Sequence, residues 1–298
     1  MKEYYVCLEI GGTNLRYGIV GKDGKVLAFH KIPTRTLSDA PDKIEYLCTL
    51  LGEMIQQAGK ENVRAITMAL ASLMDRDRTV LYSAPMIKDF DNIPIVEKLQ
   101  SRFSIPVIIE KDVNILLLYE INKAKMDPGG ITLGVFIGTG LGSAMCIDGR
   151  VYKGSSGTAC ELGHIPVPGL EEECGCGKRG CIELLACGNV LYRLAVEKYK
   201  CDISRIFLEH GDEPDVQSVV YYCAAAIATA VTILDPARLI LGGGVTEMKG
   251  FPFAYLEQSI RQNLRIPNPR ESLRITVASG DPEAGVIGAA IHAQQLLG

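Results

Sequence analysis

The sequence has 298 residues, of which 47% are hydrophobic and 22% charged, and its formal net charge is −4 at pH 7. These values are typical of a soluble globular protein large enough for two lobes, and they provide no basic face for nucleic acid or anionic lipid. Residues 1–14 lack the features of a signal peptide, and no apolar run approaches the ~20 residues of a membrane span. We therefore expect a cytoplasmic protein without nucleic-acid or membrane partners, whose ten cysteines are thiols or metal ligands.

The first part of the chain predicts strands alternating with helices in a mixed sheet. Three strands form a meander, a one-sided helix follows with apolar residues at 3.6-residue spacing, and two short strands flank further helical segments. The predicted strands cover residues 4–10, 15–20, 26–32, 65–70 and 107–110, and the predicted helices cover 40–58 and 115–125.

The second part repeats this plan. A strand, a glycine loop, a second strand and an Asp-Gly turn occur in the order already seen near the start, which indicates a duplicated unit. The predicted elements are strands 133–137, 143–147 and 239–241 and helices 216–234 and 283–297. We predict a small lobe over residues 1–115, with the C-terminal helix 284–298 packing on it, and a large lobe over 116–283.

Two glycine loops lie at equivalent places in the repeated halves. Gly11-Gly12-Thr13 and Gly138–Gly142 each join two strands, so neither is a Walker A loop nor a Rossmann fingerprint. Each loop alone is explained by a plain hairpin turn. Together, and with a third cluster at Gly242–Gly244, they indicate a polyphosphate site with a flat surface for a nucleobase or ribose.

Asp112 follows the predicted strand 107–110 and precedes a helix. One interpretation is a helix N-cap, which aspartate fills well. The other is a carboxylate at the carboxyl edge of a sheet, where it can accept a proton from a sugar hydroxyl during phosphoryl transfer. Spacing alone does not choose between these interpretations.

A cysteine-rich stretch lies between residues 160 and 183. His164 and three thiols separated by glycines, Cys174, Cys176 and Cys181, make the four donors of a closed tetrahedral Zn²⁺ site, which is structural because no position is left for water. The alternatives are a disulfide, which leaves one cysteine over, and buried free thiols. We favour zinc that fixes the loop carrying Glu161 and Glu183.

The motifs IGGTN, D-x-N, IGTGLG, ExGH, CxCGxxGCxE and LGGGV occur in this order and cover essentially the whole chain. This set resembles the ROK family of bacterial sugar kinases. The resemblance implies the two-lobed actin/hexokinase-like (ribonuclease H-like) ATPase fold with duplicated mixed sheets. It also implies ATP-dependent phosphorylation of a free hexose at the C6 hydroxyl by a homodimer.

The resemblance assigns roles to matching positions. Asp112 would be the general base, and Lys111, Asp112, Glu161, His164 and Glu183 would contact the sugar. Zinc would bind His164, Cys174, Cys176 and Cys181, and Glu9 would lie near Mg²⁺. The nucleotide would be held by Gly11, Gly12, Thr13, Asn14, Gly138, Thr139, Gly140, Leu141, Gly142, Gly242, Gly243 and Gly244.

Three positions depart from the pattern of the family. Glu9 stands where the family usually has aspartate, Lys111 where it has asparagine, and Ala71-Ser72 where it has Pro-Gly. A basic residue before the base, and the run Asp75–Thr79, resemble the D-allose kinase branch. We therefore favour D-allose as the substrate.

Other functions within the family remain alternatives. A glucokinase or a kinase of N-acetylmannosamine or another hexose is the nearest. A sugar-responsive regulator is disfavoured because the first glycine hairpin leaves no room ahead of it for a helix-turn-helix. A non-catalytic sugar sensor is disfavoured by Asp112, because a pure binder does not need a proton acceptor.

Overall fold

Two five-stranded mixed sheets form the framework of the fold, as seen in a computed structural model that describes residues 2–298. The strands are β1 (Tyr4–Ile10), β2 (Asn14–Gly21), β3 (Val26–Pro33), β4 (Val63–Leu70), β5 (Leu73–Met74), β6 (Leu81–Ser83), β7 (Val107–Lys111), β8 (Ile131–Ile137), β9 (Leu141–Ile147), β10 (Arg150–Val151), β11 (Arg238–Gly242) and β12 (Ile275–Val277). The α-helices are α1 (Arg35–Ser38), α2 (Lys43–Ala58), α3 (Ile95–Phe103), α4 (Asp112–Lys123), α5 (Gly188–Arg193), α6 (Ile206–His210), α7 (Pro214–Leu234), α8 (Phe253–Gln262) and α9 (Ala284–Leu297). Single turns of 3₁₀ helix lie at Lys60–Asn62, Leu162–His164, Ile182–Leu184 and Ile203–Arg205, and a π-helix at Leu194–Tyr199 follows α5.

The two sheets have the same topology. Their strand orders are β3-β2-β1-β4-β7 and β10-β9-β8-β11-β12. In each sheet the first long hairpin, β1–β2 or β8–β9, is antiparallel, and the next two pairings in the order are parallel. The predicted duplication of a mixed sheet is therefore confirmed.

Two helices begin at places that differ from the prediction. Helix α2 begins at Lys43 rather than at 40, because the Asp42 carboxylate caps it by accepting a hydrogen bond from the Glu45 N–H at 2.9 Å. Helix α4 begins at Asp112, three residues before the predicted start. Its N-cap is Lys111, so the interpretation of Asp112 as the N-cap is wrong.

The chain divides into two compact units. The first comprises residues up to 126 together with 151–159 and 281–298, so it includes α9. Alternate residues of β1 enter two different cores: Val6 and Leu8 pack in the core that includes α2, and Tyr5 and Cys7 pack in the core that includes α9. The predicted boundary between 115 and 116 falls inside α4, because that helix packs against α9 and belongs wholly to this unit.

The second unit comprises residues 127–150 and 160–280. Its core joins Leu133, Val135 and Ile137 of β8 to the buried face of α7. The unit carries the cysteine-rich segment, two of the three glycine clusters, and Glu161 and Glu183.

Helix α7 has the length and composition of a membrane span, with 21 residues and a mean hydropathy of 1.6 over its most apolar window. This finding corrects the expectation that no apolar run approaches such a length. Because 56% of that window is buried and residues such as Val220, Ala224 and Ile227 pack in the core, the helix is explained as the core helix of its unit.

Candidate active site

The predicted base lies at the carboxyl edge of the first sheet. Strands β1, β4 and β7 are parallel neighbours, so the segments that follow them emerge at the same edge. In this register Ala69 pairs with both Glu9 and Glu110. Asp112 is the first residue of α4, and its Oδ1 accepts a hydrogen bond from the Val113 N–H at 2.8 Å.

Glu9 occupies the end of β1 and is buried, with 6% of its surface exposed. Arg16 Nη1 lies 3.0 Å from both carboxylate oxygens. Burial raises the pKa of Glu9, Arg16 opposes the shift, and the charge of Asp112 adds to it. A Cβ at position 285 would collide with the Glu9 carboxylate, so Gly285 in α9 makes room for this side chain. Glu9 is therefore held from two sides and lies within electrostatic reach of Asp112.

The first glycine loop uses part of its backbone to hold itself. The Gly11 N–H donates to Asn14 O at 3.0 Å, Thr34 Oγ1 donates to Gly11 O at 2.7 Å, and the Thr34 N–H donates to Thr13 O at 2.9 Å. These bonds fix the hairpin and engage the N–H of Gly11. The backbone N–H groups of Gly12 and Thr13 are therefore the candidate donors to phosphate in this loop.

The second glycine loop is tied to a predicted sugar ligand. The Leu141 N–H donates to Glu183 Oε2 at 2.7 Å, and the Gly138 N–H donates to Gly140 O at 3.0 Å. A Cβ on Gly140 would collide with the Glu183 carboxylate, whereas one on Gly138 would meet no atom within 4 Å. Glu183 thus accepts the N–H of Leu141 in this structure, and the role of Leu141 towards a nucleotide stays a prediction.

The third cluster serves packing at two of its three positions. A Cβ on Gly242 would lie 2.7 Å from the Ala278 Cβ, and Gly243 has φ +98° and lies against the Ile137 backbone. A Cβ on Gly244, by contrast, would meet no atom within 4 Å. Gly244 is thus the position of this cluster that is open to a ligand.

The predicted zinc ligands converge. The donor atoms of His164, Cys174, Cys176 and Cys181 all lie within 4.8 Å of one another. The Cys174 Sγ–His164 Nδ1 distance is 3.8 Å and the Cys176 Sγ–Cys181 Sγ distance is 3.6 Å. A tetrahedral ion with Zn–S bonds of about 2.3 Å requires edges of about 3.8 Å, so the four donors fit zinc. The cysteines of this group are free, which removes the disulfide alternative.

The same segment shows why the glycines are interleaved. Gly177 and Gly180 have φ values of +86° and +72°, which non-glycine residues rarely adopt, whereas Gly175 has no positive φ. His164 presents Nδ1 to Cys174 and Nε2 to Glu161, whose Oε2 is 3.9 Å away. Burial and the neighbouring thiols raise the pKa of Cys181 to about 12. Metal binding would displace that proton.

A second group of metal-ligand types comprises Cys201, Glu209 and His210, whose donor atoms also lie within 4.8 Å of one another. Glu209 is exposed and forms an ion pair with Arg205, and the His210 ring stacks on Tyr199 with centroids 4.0 Å apart. These contacts engage the group within the protein.

A buried charged cluster that was not predicted from the sequence lies next to the predicted base. Glu110 is fully buried and forms ion pairs with Arg78 and Lys153, and His292 Nε2 lies 3.7 Å from its Oε2. Burial raises the pKa of Glu110, but Arg78 and the other donors outweigh this effect and hold the pKa below its usual value. The available signal was the charge of Glu110 near the end of a strand whose first three residues are apolar.

Comparison with known proteins identifies the family and the fold of this chain. The sequence matches the ROK family over residues 5–296. A glucokinase of Streptomyces coelicolor is 28% identical over 97% of this chain and 96% of its own, and an N-acetylmannosamine kinase of Vibrio cholerae is 25% identical over 96% and 98%. The structure is similar to that of a ROK glucokinase from Streptomyces griseus in complex with glucose and AMPPNP, with a TM-score of 0.80 and 25% identity over 98% of this chain and 99% of that one. The predicted hexokinase-like fold is confirmed, and the chain belongs to the ROK family.

Proposed function

We propose that this chain, an ATP-dependent sugar kinase of the ROK family, phosphorylates the C6 hydroxyl of a free hexose with Asp112 as the general base. The observation that carries the proposal is the place of Asp112, at the first residue of α4 and the carboxyl edge of the parallel strands. Its carboxylate lies within electrostatic reach of Glu9, which is buried at the same edge. Such a position suits a group that acts at a phosphoryl-transfer site.

In the proposed reaction Asp112 accepts the proton of the C6 hydroxyl as its oxygen bonds to the γ-phosphorus of ATP, and ADP leaves. The protein has little covalent work to do in such a transfer, so positioning and charge neutralisation dominate. Mg²⁺, when bound with ATP, would supply part of that neutralisation. In this proposal Glu9 is the carboxylate nearest to Mg²⁺. It would act on the ion through water, because Arg16 already contacts both Glu9 oxygens.

The nucleotide is proposed to lie against the three glycine clusters. The positions left for it by the internal hydrogen bonds and packing are Gly12 and Thr13 in the first loop, Thr139 and Gly140 in the second, and Gly244 in the third. Backbone N–H groups at tight turns are good donors to phosphate oxygens. Gly11–Thr13 and Gly138–Gly142 are proposed to donate to the phosphates, and Gly242–Gly244 to border the adenosine.

Zinc is proposed as a structural ion bound by His164, Cys174, Cys176 and Cys181. The convergence of the four donors supports it, and a closed ligand set gives the ion no catalytic position. The ion would hold Glu161 and His164 ready for sugar hydroxyls, and a pre-ordered loop reduces the entropy lost on binding. Glu183 would join them, with its Oε2 held by the Leu141 N–H.

Among sugars we favour D-allose, on the basis of Lys111 and of the run Asp75–Thr79. Relatives with similar coverage include a glucokinase and an N-acetylmannosamine kinase, so glucose and N-acetylmannosamine are the alternatives. A homodimer and a cytoplasmic location remain predictions.

The decisive experiment replaces Asp112 by Asn, which keeps the shape but cannot accept the proton. We expect kcat to fall by roughly 10²–10⁴-fold while the Kd of the sugar changes little. ADP release and calorimetric sugar binding measure the two effects. A variant with near-normal kcat would remove Asp112 from the mechanism, and a wild-type protein that binds sugar without turnover would favour the sensor.

A further inference from the structure

A buried ion pair lies directly behind the proposed base. The Arg78 side chain is only 4% exposed and that of Glu110 is fully buried, and Arg78 Nε donates to Glu110 Oε1 at 2.8 Å. Lys153 Nζ lies 3.4 Å from the other oxygen, Oε2. Burying such charges carries a large desolvation cost, and a packed apolar pair is often as stable. The pair therefore calls for a role besides stability.

One oxygen of Glu110 holds the backbone just before Asp112 and a side chain just after it. Besides Arg78, Oε1 accepts hydrogen bonds from the Lys111 N–H and from Asn114 Nδ2, each at 2.9 Å. Lys111 precedes Asp112, and Asn114 lies in the first turn of α4 after it. The junction between β7 and α4, where Asp112 stands, is thus fixed by a single carboxylate.

Arg78 connects that carboxylate to two other segments. Its Nη1 donates to Asp75 O and to Gly157 O, both at 3.0 Å. Arg78 itself has φ +58°, a left-handed conformation that is costly for a non-glycine residue. A Cβ on Gly157 would come within 2.9 Å of Arg78 Nη1, so the segment 151–159 closes tightly over the guanidinium.

We propose that Arg78 and Glu110 are positioning residues that fix the Asp112 carboxylate for proton transfer. The proposal rests on the proposed function, because it needs Asp112 to be the base. Arg78 neutralises Glu110, so Glu110 can hold the junction as an anion without adding an unbalanced charge beside Asp112. Loss of the pair would misplace the base and lower kcat, whereas ATP binding would be unaffected.

The test separates positioning from stability with a paired replacement. Arg78→Met alone leaves Glu110 buried without its partner, so we expect Tm to fall by about 5–10 °C. Arg78→Met with Glu110→Met removes both charges, and we expect most of that loss in Tm to be recovered. The acceptor for Lys111 and Asn114 is still missing, so kcat should stay roughly 10- to 100-fold below wild type with an unchanged KM for ATP. Arg35→Met, at an exposed arginine of α1 in the same unit, is the control and should change neither Tm nor kcat.

A double variant whose kcat recovers together with its Tm would overturn the proposal, since the pair would then be only structural. Should the double variant not fold, Arg78→Lys gives the answer. It keeps the charge but cannot make all the bonds of Arg78 to Glu110, Asp75 and Gly157, so a wild-type kcat would also overturn the proposal. Asp112→Asn is measured in parallel. If Asp112→Asn retains activity, the proposed function fails. If Asp112→Asn loses activity while the Arg78 and Glu110 variants keep it, the positioning role fails and the proposed function stands.

Discussion

We propose that Lys111 affects the choice of sugar. It is the N-cap of α4 and stands between Glu110, which anchors the junction, and Asp112, the proposed base. Its ammonium is a compact donor with three N–H groups, whereas the asparagine usual in the family offers both a donor and an acceptor. A change at this position alters the hydrogen bonds available to a hydroxyl near the base.

We predict that Lys111→Asn shifts the allose-to-glucose ratio of kcat/KM by about tenfold towards glucose. One hydrogen bond gained or lost at a buried hydroxyl is worth about this factor. ADP release on a panel of free hexoses measures the ratio in both proteins. An unchanged ratio would show that Lys111 does not set specificity, and Lys125→Asn, which lies beyond the end of α4, controls for the loss of charge.

Some residues of the site were beyond sequence reasoning for a physical reason. Asp112 stood out because a strand, a carboxylate and a helix follow one another along the chain. The environment of Glu9 depends on Gly285, which lies far away in sequence, and on Arg16, which lies opposite it in the hairpin. A glycine that makes room for a distant carboxylate carries no local signal, so its role appears only in three dimensions.

At the scale of the elements, the segment that carries the proposed zinc ligands has little regular structure. Between the 3₁₀ turns Leu162–His164 and Ile182–Leu184 it contains no helix or strand of its own, and isolated bridges join Pro166 to Cys181 and Glu173 to Arg179. Few buried apolar side chains are available to order such a segment. Metal ligation would therefore supply much of its order.

We predict that Cys176→Ser lowers the zinc content from about one ion per chain to well below one and raises the KM for the sugar by roughly tenfold. Cys176 is exposed, so the replacement itself costs little packing. Elemental analysis of freshly purified protein and steady-state kinetics give the two values. Cys201→Ser, outside the four-ligand group, should leave both unchanged, and a wild-type protein without zinc would end the proposal.

The glycine loops show which features of an element can be predicted from the sequence and which cannot. Their existence between paired strands followed from the order of apolar runs and glycines. Which N–H groups remain for a ligand did not follow, because Leu141 donates to Glu183, a residue 42 positions away. Gly242 and Gly243 likewise serve close packing against β8 and its neighbours, which no local pattern distinguishes from phosphate binding.

On the scale of the whole molecule, a buried histidine makes stability depend on pH. Burial lowers the pKa of His292 from its usual value near 6.5 to about 4, and the charges of Lys153 and Arg78 add to the effect that Glu110 opposes. The unfolded chain therefore binds the proton more strongly than the folded protein. The stability that comes from keeping His292 neutral is fully present above about pH 6.5, and it is lost as the pH falls towards 4.

We predict that the free energy of unfolding falls by about 2 kcal/mol between pH 7 and pH 5, and that His292→Gln removes most of this fall. Urea denaturation at several pH values measures it. The lowered pKa of Glu110 acts below about pH 4.5, outside this range. His30→Gln, at an exposed histidine, should keep the wild-type slope, and parallel curves for His292→Gln and wild type would contradict the prediction.

The overall architecture could largely be predicted from the sequence, since each predicted strand and each long predicted helix has a counterpart in the structure. The place where the chain passes from one unit to the next was not. The sequence of a helix does not indicate which unit the helix packs in. Helix α4 belongs to the first unit because it contacts α9, which lies far away in the sequence. Long-range packing of this kind decides unit boundaries.

The packing of α9 has a consequence for how the protein comes into being. Thr67 Oγ1 of β4 donates to Ala289 O at 3.0 Å, and Gly288 lets α9 lie directly against Ile115 of α4. These early strands thus receive this neighbour only after residues 284–297 have been translated. The apolar face of β1 that contains Tyr5 and Cys7 is not covered by α9 until the residues of the second unit have been synthesised. The part of the first unit that packs against α9 can therefore form only after residues 284–297 have been made.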